Sequence, residues 1–129
     1  MPVFEPLPGV RVVADPAAID ALVAALPAQR QHLRLAPDDV LVVGTAGVAV
    51  DDPDAIVEPE TGFVAAEVDL PVVARHTEWP IPVERPAFAQ GAIAGVPARL
   101  SLVGDDGRAT LITAAAHADE LAERLGLRP

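Results

Sequence analysis

The chain has 129 residues, 51% of them apolar, and carries a net charge of −10. That length suits one domain, 1–129, with enough chain to bury a core. The negative charge argues against nucleic acid and anionic lipid as partners, because both need a clustered positive surface.

Residues 1–9 read as an extended N-terminal arm, since Pro2, Pro6 and Pro8 block regular structure. Val10 to Ala14 is a short apolar run that predicts a strand. Asp15 and Pro16 then start a helix, a capping carboxylate followed by proline at the first helical position. Ile19, Leu22, Val23 and Leu26 recur at helical spacing, and Pro27 stops them. Leu33 and Leu35 alternate with His32 and Arg34 as in a half-buried strand. A turn at Ala36–Asp39 returns the chain through Val40 to Val43, and Gly44 ends that strand. Residues 44–62 read as an acidic loop between two halves, with a brief pairing at Val48 to Val50.

The second half repeats the order. Phe63 to Val68 alternates as a strand, and Asp69 with Pro71 looks like a second capped helix start, carrying Val72, Val73 and the region of His76. Residues 79–86 form a proline-rich connection. Phe88 to Ile93, Val96 to Val103 and Ala109 to Thr113 read as strands, with turns at Gly95 and at Gly104 to Gly107. A last helix runs from about Ala114 to Leu125, and Gly126 followed by Leu127 suggests a Schellman end. The expected fold class is α+β, with two pseudo-repeated strand–helix–hairpin halves and helices packed on mostly antiparallel sheet.

Cys, Lys, Tyr and Asn are absent, and nine arginines supply all positive side-chain charge, a bias expected of a GC-rich bacterium. This removes Schiff-base and phosphate-loop lysines, thiolate nucleophiles and cysteine-ligated zinc. Ser101, the only serine, sits in a predicted strand rather than on a glycine elbow. Asp51, Asp52, Asp54, Glu58 and Glu60 lack the spacing of a calcium loop, having Pro53 within the run and Ile56 where glycine belongs. His76, Glu78 and Trp79 form the most site-like cluster, a His two residues from a carboxylate, without further metal ligands nearby in sequence. Catalytic and metal residues are therefore expected to be none. Gly91 and Gly95 suit turn geometry or close backbone approach. Trp79, Arg85, Phe88 and Gln90 cluster around the proline-rich connection and are candidates for binding a partner. The start lacks the basic head and apolar run of a signal peptide, and no stretch approaches the ~20 apolar residues of a membrane span, so a cytoplasmic location is expected.

Leu35, Ala36, Pro37, Asp38, Asp39, Val40, Leu41 and Val42 resemble the apolar–Pro–Asp–acid–apolar hairpin of the sarcosine oxidase gamma subunit family. Phe88, Gln90, Gly91, Ala94, Gly95, Val96, Pro97 and Leu100 are similar to that family's Phe–Gly segment and Ala–Gly–Val–Pro strand. Thr110 to Leu121 looks like its closing strand and helix. The pattern more distantly resembles the folate-binding domain of aminomethyltransferases. The chain departs from the family at Val40, where Trp is common, and at Ala116, His117 and Ala118, where Ser–Phe–Ala is common. The resemblance implies a non-catalytic accessory subunit. Its cofactors, flavin or folate, would be held by larger partner subunits and not by this chain. Two alternatives stand beside it. One is a folate-like ligand bound between the halves, with Glu67 or Glu78 as the carboxylate against the pterin. The other is a self-associating homo-oligomer without an enzymatic role.

Overall fold

In the computed structural model, which describes residues 3–129, the aliphatic runs pair into two antiparallel sheets, each with helical structure on one face. The fold is α+β, about 20% helical and 39% strand. Contacts divide the chain into two compact units, one of residues 3–6 with Gly62–Pro129, the other of Leu7–Thr61.

In the Leu7–Thr61 unit, β2 (Gly9–Val13) lies between β4 (Asp39–Val43) and β5 (Ile56–Glu60), and β3 (His32–Ala36) borders β4. Helix α1 (Pro16–Ala25) begins as the sequence predicts, and the Asp15 carboxylate accepts from the Ala17 N–H. Ile19 and Leu22 are buried against Val10, Val12, Val40 and Val42. Burying such a side chain contributes roughly 1.5–3 kcal/mol, and that anchors a ten-residue helix too short to persist alone.

The loop expected over 44–62 is corrected in its second half. Ile56 to Glu60 pairs with the whole of β2, from Gly9 opposite Glu60 to Val13 opposite Ile56. An edge strand accepts Pro59, and with β5 largely exposed its sequence carries no apolar alternation to reveal it. Val48 and Val50 form no strand and instead pack on the core beneath α1.

In the other unit the order is β1 (Glu5–Pro6), β6 (Phe63–Asp69), β9 (Arg108–Ala114), β8 (Val96–Leu102) and β7 (Ala87–Ile93). The expected N-terminal arm is thus corrected as well: Glu5 and Pro6 pair with Ala65 and Val64, and Gly9 already belongs to β2. Met1 and Pro2 lie outside the described residues. Helices α2 (Leu70–Ala74) and α3 (Ala118–Leu125) cover one sheet face through Val73, Leu121 and Leu125. Asp69 stands at the N-cap of α2, but its carboxylate accepts from Arg108 Nη1 at 2.6 Å and caps nothing. That helix ends at Ala74, so His76 lies beyond it. Ala114 closes β9, and a single 3-10 turn (Ala115–His117) precedes α3.

Strand, helix, hairpin and a further strand follow one another in both units, as β2–α1–β3–β4–β5 and β6–α2–β7–β8–β9. The sheets are wound differently. Strand β2 pairs with the hairpin directly, so β2 and β3 run parallel with β4 between them. In the second sheet β9 takes the place beside the hairpin and β6 lies outside it.

Candidate functional site

The proline-rich connection leaves α2 and runs to β7, the edge strand of its sheet. The turn from β7 to β8 has positive φ at both Ala94 (51°) and Gly95 (77°), the pattern that matches hairpin twist. Ala94 N–H donates to the His76 carbonyl at 2.8 Å, and Arg124 Nη1 donates to the Ala94 carbonyl at 2.7 Å. These bonds hold a non-glycine residue in a conformation that costs roughly 1–2 kcal/mol.

Trp79 Nε1 donates to the Ala92 carbonyl at 2.8 Å, and the indole lies across Gly91. A Cβ at position 91 would stand 2.5 Å from Nε1, so glycine there serves a close approach, as the sequence suggests. His76, Glu78 and Trp79 do come together. With Arg75, Thr77 and Gly95 they line an open groove of about 470 Å³, a volume within the range of small-ligand sites. Glu67, the other carboxylate considered for a pterin, accepts from Thr110 Oγ1 in a separate hollow of about 110 Å³. Among the described residues, no three His, Asp or Glu side chains converge to hold a metal ion.

The four partner-binding candidates separate. Phe88 and Gln90 point to the sheet face opposite α2 and α3, because β7 alternates and Ala87 and Ile93 face the helices. There Phe88 lies in one row with Ser101, Thr110 and Glu67. The next row holds Gln90, Arg99 and Ile112; Arg99 Nε donates to Gln90 Oε1 at 2.9 Å, and its guanidinium carbon sits 4.9 Å from the Phe63 ring centroid. Trp79 packs on the opposite, helix-bearing side with Ile81.

Arg85 is turned inward onto backbone. Its Nη1 donates to the Pro82 and Glu84 carbonyls, both at 2.8 Å, and its Nε to the Gly104 carbonyl at 3.3 Å. One guanidinium thereby ties the connection to the segment after β8. Two residues that the sequence reading missed stand on those tied segments, Val83 at 84% exposure and Val103 at 73%. The available signal was Val83 itself, an apolar residue isolated among prolines with no helical or strand period to bury it.

No protein-family model matches the chain, and neither a curated protein nor a solved structure matches it. No helix of the described residues is long and apolar enough to cross a membrane.

Proposed function

We propose that the chain is a non-catalytic accessory subunit that binds a flavin- or folate-dependent partner enzyme through the connection from Trp79 to Gln90. The observation that carries this reading is the Arg85 clamp. Three donated hydrogen bonds fix a proline-rich segment that would otherwise lose conformational entropy on binding. The resemblance of the hairpin and Phe–Gly segments to sarcosine oxidase gamma subunits supports the same role.

The test is a tagged pull-down from the native organism with an absorption spectrum of the eluate. A stoichiometric complex with larger subunits and a flavin band, or with bound folate, is the expected result. A chain recovered alone and colourless overturns the reading.

A further inference from the structure

Resting on that reading, we propose that the surface carrying Val83 and Val103 is the docking site, and that its partner presents an apolar residue ringed by Arg or Lys. The two valines are brought to one end of the β7–β8 pair. Ala87 lies opposite Leu102, so Val103 follows the last paired residue of β8, and Val83 precedes the first residue of β7 by one short segment. Arg85 then bonds the Val83 side at Pro82 and Glu84 and the Val103 side at Gly104. A pair of exposed valines held this way offers apolar area at little ordering cost.

Carboxylates outnumber unpaired cations around them. Glu84, Asp105 and Asp106 are exposed beside the valines. Against these three carboxylates stands Arg85, whose charge its carbonyl partners leave in place, while Arg108 is paired with Asp69 at 2.6 Å, so the surface is net negative. A second copy of the chain would bring the same carboxylates face to face at a net charge of −10 on each molecule, which disfavours self-association through this surface. A basic rim on the partner satisfies it instead.

The experiment places a photoreactive phenylalanine analogue at position 83, at 103, or, as a control, at exposed Glu123 on α3, next to the Arg124 that bonds Ala94 at the opposite end of the β7–β8 pair, in the full chain within its native cells. Crosslinks from 83 and 103 but not from 123 are expected. They should reach Arg- or Lys-flanked apolar residues of the same protein that co-purifies in stoichiometric amount. The Glu84→Arg, Asp105→Arg double variant should weaken binding of that purified partner about tenfold, the size of one or two desolvated charge contacts, with an unchanged melting midpoint. A stoichiometric partner that crosslinks only from 123, or binds the charge-reversed variant normally, overturns this surface and leaves the accessory role standing. Crosslinks between two copies overturn the basic-partner assignment. Absence of any stoichiometric partner removes the accessory role and this surface together.

Discussion

At the scale of single residues, several side chains serve backbone groups. Thr113 is fully buried, and its hydroxyl donates to the Pro97 carbonyl at 2.9 Å, where the registered β8–β9 pairing, from Arg99 to Ser101, does not reach. Thr113→Val keeps the shape and leaves that carbonyl without its donor, so denaturant titration should show a loss of about 1–2 kcal/mol. Gly91 gives a sharper test, because Trp79 is the only tryptophan. Gly91→Ala should displace the indole, red-shift its emission and cost about 1–3 kcal/mol, as overpacking does; an unmoved spectrum would mean the ring is not seated on β7. The role of Gly91 was legible in the sequence, since glycine inside a strand signals close approach. That of Arg85 was not. An arginine beside prolines looks like a surface anchor until the chain brings three carbonyls around it, and their convergence depends on the path of the backbone.

At the scale of elements, the caps and turns carried most of the legible information. Asp15 with Pro16 marked the start of α1 to the residue. Gly126, at φ 70°, ends α3 with Leu127 N–H bonded to the Ala122 carbonyl and its own N–H to the Glu123 carbonyl, the Schellman pattern expected. Gly126→Ala should lower stability by about 1 kcal/mol in thermal or urea melts, the usual penalty for a side chain in left-handed backbone. Strand β5 was illegible because edge strands tolerate proline and charge, the features that also mark loops. Its approach is fixed by a carboxylate: Asp52 accepts from the N–H groups of Asp15 and Asp54, both at 2.9 Å. The Asp15 bond, then the Asp54 bond, holds the Asp52 carboxyl below its ordinary value. A depressed folded-state pKa contributes stability that is present above the unfolded value of about 3.9 and lost as pH falls through the folded value. Urea melts taken downward from pH 6 should therefore show the gap between wild type and Asp52→Asn narrowing once the pH falls below about 3.9. A constant gap would assign the effect to shape rather than charge.

At the scale of the molecule, two separate aliphatic cores replace what aromatic residues usually supply, one under α1 and one under α2 and α3. Leu100 and Leu121 are fully buried in the second. Leu100→Ala should destabilise the unit holding Trp79 by about 2–5 kcal/mol, read from tryptophan fluorescence in a urea titration. The recurrence of strand, helix and hairpin was visible from the two helix starts, Asp15 with Pro16 and Asp69 with Pro71, but the exchange of β9 for β2 beside the hairpin was not. It is decided by which strand finally pairs with which, a non-local choice that single-strand patterns do not encode. The Leu7–Thr61 unit is also tied across its sheet by Arg11, which grips Asp39 with two hydrogen bonds, at 2.6 and 3.0 Å, and reaches Glu60 of β5 at 3.3 Å. An arginine in β2 thus joins strands that are 28 and 49 residues away in sequence.

Among the described residues, the bonds made by Arg85 go only to main-chain oxygens, and every residue type has one. Val83, Glu84 and Asp105 are exposed and none of their side chains takes part in the clamp. Their identities are therefore free to drift or be redesigned without loosening the frame that displays them. The chain carries an interchangeable face on a fixed mount, so a library varied at those three positions should yield folded proteins with new binding preferences.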